Sequence, residues 1–154
     1  MAASAMDEAL LGTARAVMRI SLHAADQVGG VSVVQLRALT ILLEAGGTNL
    51  AQLAEGMGVT VSTSSRLVDR LVAAGLVERR TARHTRREIA LGLTDLGRQT
   101  VDRYDRLRLT ELRRCIDALP ETEQPGALTC LRALADAAAQ PLVAMATRPA
   151  TPTT

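Results

Sequence analysis

The stretch GVTVSTSSRLVDRLVAAGLVERR, Gly58 to Arg80, sets a cluster of hydroxyls ahead of two arginines four residues apart, then a glycine, then a second arginine pair. Thr60 suits an N-cap and Gly75 suits the left-handed residue after a helix, so the spacing predicts a helix of about 15 residues, roughly 22 Å long. Leu67, Val68 and Leu71 share one side of it. Ser62, Thr63, Arg66 and Arg70 share the other, with Ser65 beside them and the two arginines an i, i+4 pair. Immediately upstream, Asn49 can cap a short helix over Leu50–Met57, with Leu50, Leu53 and Met57 on one face and Gly58 at its end. Two helices joined through Gly58-Val59-Thr60, the second polar on its outer face near its start, make a helix-turn-helix.

Downstream of Gly75 the periodicity changes from that of a helix to two. LVERR reads as one strand, and EIALGL, which alternates Ile89, Leu91 and Leu93 with Glu88, Ala90 and Gly92, reads as its antiparallel partner. The polar loop between them carries Arg83, His84 and Arg86, so strand, basic loop and strand form a wing. Upstream, apolar residues from Asp7 to Asp26 recur at three and four, which predicts an amphipathic helix ended by Gly29-Gly30. SVVQ at Ser32–Gln35 is a capping-box pattern opening a helix to about Glu44. After Thr94 a long helix is expected from Asp95 to about Ala118. A last helix follows, started by Pro120 with Glu121 and Glu123 and running to about Ala146, with Pro125 either inside its first turn or setting a later start, and a Pro/Thr-rich tail closes the chain.

The 154 residues suffice for one domain with a real core. Hydrophobic residues make up 47%, yet Phe and Trp are absent and Tyr104 is the single aromatic, so the core must be aliphatic and helix packing is favoured over a large sheet. The fold class expected is mainly α, a winged helix-turn-helix with a two-stranded β-wing. The net charge is only +2, but Arg66, Arg70, Arg79, Arg80, Arg83, Arg86 and Arg87 crowd one segment of a chain without lysine, the electrostatic pattern of a nucleic-acid binder. Arg79 and Arg80 are better placed to anchor phosphates, or to pair with Asp69 or Glu78, than to read bases.

The N-terminus has neither a basic region nor a long apolar run, and no apolar stretch approaches the roughly 20 residues of a membrane span, so a cytoplasmic protein is expected. Cys115 and Cys130 have no metal-binding spacing and are expected to be buried on helices. Two histidines, His23 and His84, without a nucleophile motif or a phosphate-cradling glycine loop, argue against an enzyme, and no cofactor or metal is expected.

The order helix, helix, LAQLAEGMGVTVSTSSRLVDRLVAAGLVERR, basic wing, LGLTDLGRQ and two terminal helices resembles the MarR family of winged-helix transcription regulators, over roughly Asp7 to Ala146. The resemblance implies a homodimer built from the first and the last two helices. The chain would then divide into a dimerisation helix (1–30), a DNA-binding lobe (31–94), C-terminal dimerisation helices (95–146) and a disordered tail (147–154). It implies that the fourth helix enters the major groove of double-stranded DNA, with Thr60, Ser62, Thr63, Ser65, Arg66 and Arg70 at the interface. Arg86, helped by Arg83, would reach from the wing into the minor groove. Two positions depart from the family pattern: Thr85 stands where an aspartate usually precedes the wing arginine, and Ser64 where helix four is usually apolar.

The same resemblance implies a small-molecule effector held between the dimerisation helices and the DNA-binding lobe. Met18, Leu22, His23, Val31, Leu36 and Leu39 are the candidate lining, with Arg19 or His23 as polar anchor. A dimer on DNA implies a pseudo-palindromic operator, with repression by blocking polymerase as the simplest action. Two alternatives stay open: a regulator that needs no ligand, and a thiol-based redox regulator using Cys115 and Cys130.

Overall fold

The computed structural model describes residues 4–81 and 89–138. Its elements run α1 (Ala5–Val28), α2 (Val33–Glu44), α3 (Leu50–Met57), α4 (Val61–Ala73), β1 (Val77–Thr81), β2 (Ile89–Leu93), α5 (Asp95–Asp117) and α6 (Gln124–Ala138). The mainly helical class and the two-stranded antiparallel wing root, with Val77 opposite Leu93 and Thr81 opposite Ile89, match the sequence expectation. The expected helix end near Ala146 and the tail 147–154 lie outside the described residues. The chain divides into two compact units, Met1–Leu112 and Arg113–Thr154.

Caps explain where the helices begin. Ser32 Oγ accepts from the Gln35 amide at 3.3 Å while the Ser32 amide donates to Gln35 Oε1 at 2.8 Å, the reciprocal arrangement that SVVQ suggests. Asn49 and Gln52 repeat it at α3. Ser4 and Asp7 form a third such box, so α1 starts two residues before the expected Asp7. Helix α4 ends where expected: the Gly75 amide donates to the Val72 carbonyl and the Leu76 amide to that of Leu71, both at 2.9 Å, with Gly75 at φ 70°. This closing motif needs a residue in the left-handed region, and it satisfies two carbonyls that a helix end otherwise leaves unpaired. Because Leu76 is committed to closing α4, β1 begins at Val77 instead.

The first unit is held by an aliphatic core. Ala38, Leu39 and Leu42 of α2, Leu53 of α3, Val68 and Leu71 of α4, Leu91 and Leu93 of β2 and Val101 of α5 are all buried together. A fully buried Leu or Val contributes about 1.5–3 kcal/mol relative to exposure, so this cluster is the main stabilising term. A second cluster joins Ala24 and Ala25 of α1 to Leu36 and Tyr104. Thr48 pairs with Leu91 through two backbone hydrogen bonds, 3.1 and 2.7 Å, and so ties the α2–α3 connection to the wing root.

The second unit decides one alternative of the sequence reading and departs from it at the cysteines. Helix α6 starts at Gln124, the later of the two starts that Pro125 leaves open, and the Glu123 amide donates to the Pro120 carbonyl in a preceding turn. A start at Pro120 would have carried Pro125, which has no amide hydrogen and whose ring meets the carbonyl four residues back, past the first turn of the helix. Cys115 and Cys130, expected buried, are both exposed. No residue of α6 is buried, and Leu128, Leu131 and Leu134 stand about half exposed at three-residue spacing. Helical periodicity marks a face for burial, and among the described residues of one chain nothing buries this one.

Ser64 is 0% exposed and its Oγ has no hydrogen-bond partner. A buried hydroxyl left unpaired costs about 1–3 kcal/mol, so Ser64→Ala should stabilise the fold by about 1 kcal/mol. By contrast, Leu71→Ala, which opens a cavity under α4, should destabilise by about 2–5 kcal/mol. Urea denaturation of the three proteins checks both signs; a Ser64→Ala protein less stable than the parent contradicts the first.

Candidate nucleic-acid interface

Val68, Leu71 and Ser64 turn one edge of α4 into the core, which forces the opposite edge outward. Ser62, Thr63, Arg66 and Arg70 are exposed on that edge and Ser65 is half-buried. The helix is 13 residues, about 20 Å long, and its N-terminal half carries every hydroxyl of the cluster.

Those hydroxyls are linked to one another. Thr60 Oγ1 accepts from the Thr63 amide at 3.3 Å, which caps the helix, and lies 3.0 Å from both Ser62 Oγ and Thr63 Oγ1. Capping and display are therefore done by the same side chains, and the exposed hydroxyls are held in place before any ligand arrives.

The arginines divide into two groups. Arg79 donates to Asp69 Oδ1 at 2.6 Å, joining β1 to α4, and Arg80 pairs with Glu78. Among the described residues Arg66 and Arg70 have no ion-pair partner, although Asp69 lies between them in sequence. The unneutralised positive charge of α4 thus sits on its outward face beside the hydroxyls. A crevice of ≈ 250 Å³ flanks that face, lined by Val34, Met57, Val59 and Leu67 with Thr63, Arg66 and Arg70. The sequence alone does not single out Val34, Met57 and Val59 for this surface, since only the packing of α2 against the α3–α4 turn brings them together. Arg83, Thr85 and Arg86, the wing positions, lie outside the described residues.

The effector candidates are dispersed. Met18 and Arg19 share an exposed strip of α1 with Leu11, Ala14 and Arg15. Leu22 and His23 are exposed further along α1, with His23 Nε2 2.7 Å from Gln27 Nε2. Leu36 is instead part of the core, packed with Ala24, Ala25 and Tyr104, and Leu39 is buried in the main cluster with Val31 partly buried at its edge. Among the described residues there is no cluster of three potential metal ligands and no helix long and apolar enough to cross a membrane.

Helix-turn-helix, antiparallel wing root and an outward arginine-bearing helix define a winged helix-turn-helix protein. Comparison with known proteins narrows the class. The sequence model of the MarR family matches residues 29–88. The crystal structure of RV1404 from Mycobacterium tuberculosis is 35% identical with a TM-score of 0.80, over 91% of this chain and 97% of that one. A mutant of Staphylococcus aureus MepR bound to an oligodeoxyribonucleotide shares the fold at 17% identity and a TM-score of 0.66, over 88% of this chain and 99% of that one. The uncharacterized HTH-type transcriptional regulator YfiV of Bacillus subtilis is 30% identical over 96 residues, 61% of this chain and 59% of that protein's length. The chain belongs to the MarR family of winged-helix transcription regulators.

Since Thr60 caps α4 and anchors its hydroxyl cluster, Thr60→Ala should lower stability by about 0.5–2 kcal/mol, while Thr60→Asn, which can still accept from the backbone, should stay close to the parent. Thermal unfolding followed by circular dichroism compares the three. Equal stability of the alanine variant would remove the cap from the account of α4.

Proposed function

We propose that the protein is a dimeric, sequence-specific DNA-binding regulator acting in the cytoplasm, a repressor at pseudo-palindromic operators, with α4 in the major groove and Arg86 of the wing in the minor groove. One observation carries this reading: among the described residues Arg66 and Arg70 stand without an ion-pair partner on the same exposed edge of α4 as Ser62 and Thr63, while neighbouring Arg79 and Arg80 are neutralised by carboxylates. A major groove about 12 Å wide admits one helix, whose short side chains let the backbone approach base edges while guanidinium groups reach guanine O6 and N7 or phosphates. The oligodeoxyribonucleotide bound by the MepR mutant supports the same use of the fold.

Dimerisation is supported by apolar surface that stands exposed among the described residues. Leu10, Leu11, Met18 and Leu22 of α1 are each at least 44% exposed, as are Leu128, Leu131 and Leu134 of α6. Such stripes mark protein–protein surfaces, and a single winged module has limited contact area on DNA. Release by a small-molecule effector is the second part of the proposal. The strip of Leu11, Ala14 and Met18 beside Arg15 and Arg19 offers an apolar floor with cationic anchors, which suits a small organic anion.

The test is a titration of operator DNA across salt concentrations. Each neutralised phosphate contributes a log–log slope near −0.9, so a dimer making about six contacts should give a slope near −5. Arg66→Ala should cost about 1–3 kcal/mol and relax preference at one symmetric pair of positions if it reads guanine, and weaken all sequences alike if it holds phosphate. Arg86→Ala should reduce the slope by about one per wing engaged. An affinity unchanged from low to moderate salt ends the DNA reading. Repeating the titration with small aromatic acids, and with an oxidant, separates release by ligand from constitutive binding and from oxidation of the exposed Cys115 and Cys130.

A further inference from the structure

Helix α5 begins closer to the end of α4 than any side chain would allow. A Cβ added at Gly97 would lie 2.1 Å from the Leu76 carbonyl oxygen and 3.1 Å from its carbon. Both neighbours are backbone, so no rotamer change relieves the overlap. The approach is secured from both sides. The Thr94 amide donates to the Leu76 carbonyl at 3.1 Å, Thr94 Oγ1 donates to the Gly75 carbonyl at 2.6 Å, and the Gly97 amide donates to Thr94 Oγ1 at 3.0 Å. Gly75 and Leu76 are the same residues whose amides close α4. The last turn of the reading helix and the first turn of α5 therefore share one hydrogen-bond network, walled in by buried Leu76, Leu93 and Val101.

We propose that Thr94 and Gly97 form a rigid joint that fixes the angle between α4 and α5, and through it the operator half-site separation that the dimer accepts. The inference rests on the reading of the protein as a DNA-binding dimer with α5 in its dimerising part. A flexible linker here would let the two lobes adapt to several separations. A backbone-to-backbone contact permits one.

The size of the effect follows from the lever. Moving the overlap from 2.1 Å to a tolerable 3.0 Å requires about 0.9 Å of displacement, which over one helical turn of about 5.4 Å is a tilt of roughly 10°. The reading end of α4 lies about 20 Å from the joint, so such a tilt moves it by roughly 3 Å, close to the ≈ 3.4 Å rise of one base pair. In a two-fold dimer the displacement occurs in both lobes. Thr94 and Gly97 touch no DNA in this scheme, and both are positioning residues.

The experiment is selection by the full-length protein from a duplex library in which two half-sites stand at varied separation, compared with binding to a duplex carrying one half-site. The parent should select one separation. Gly97→Ala should select a separation changed by about one or two base pairs, or discriminate about tenfold less, while its single half-site affinity stays within about threefold of the parent's. Thr94→Val, which removes both hydroxyl hydrogen bonds without adding bulk, should keep the separation and discriminate about threefold less. A Gly97→Ala protein with the parent's helix content and dimer mass that selects the same separation with the same affinity overturns the joint. Should Gly97→Ala fail to fold, unchanged discrimination by Thr94→Val overturns it. A parent that binds DNA without any preferred separation refutes the joint alone, whereas a parent that binds no duplex refutes the DNA reading and the joint with it.

Discussion

Burial of Val68 and Leu71 in an aliphatic core is the constraint on which the rest of the first unit depends. Both are 0% exposed, and they hold α4 against α2, α3 and the wing root. Because a helix has one face, sinking that edge decides which residues meet solvent: once Val68 and Leu71 are inside, Arg66 and Arg70 are outside. A core without Phe or Trp achieves this with many branched side chains from several elements, so no single side chain dominates it. Ser64 is the local weakness, a buried hydroxyl without a partner directly beneath the hydroxyl cluster.

The polar side chains of α4 each serve two ends. Thr60 caps the helix and at the same time fixes the positions of Ser62 and Thr63. Asp69 takes Arg79, so that among the described residues the outward arginines have no carboxylate partner. At exposures of 43% and 58% this ion pair adds little stability, on the order of 0–1 kcal/mol, so its consequence is positional. It ties the middle of α4 to β1, and Thr94, donating to the Gly75 and Leu76 carbonyls, ties its end to α5. A helix held along its buried edge, its middle and its end has little freedom to tilt on its own.

The sequence is legible wherever structure is decided by neighbours along the chain. Ser32 with Gln35, Asn49, Thr60 and Gly75 announce helix ends because capping requires a particular hydroxyl, amide or left-handed residue within a few positions. The pairings of Arg79 with Asp69 and of Arg80 with Glu78 are also foreseeable, from charge and proximity. The start of α6 is harder to read, because Pro120 and the acids after it resemble a first turn while Pro125 sets the actual limit. Exposure of the cysteines escapes the sequence for another reason: helical periodicity identifies a face but not what covers it.

By itself, then, the sequence determined the order of elements, the polarity of each helix face and the residues displayed by α4, since all of these follow from local spacing and side-chain chemistry, while the family showed in the resemblance of its motifs. Only the tertiary structure decided that Leu36 belongs to the core and not to an open crevice, that Val34, Met57 and Val59 flank the exposed face of α4, and that Gly97 lies against the Leu76 carbonyl. These are distances between segments remote in sequence, and such distances are set by how helices of fixed length pack together, which no local pattern encodes.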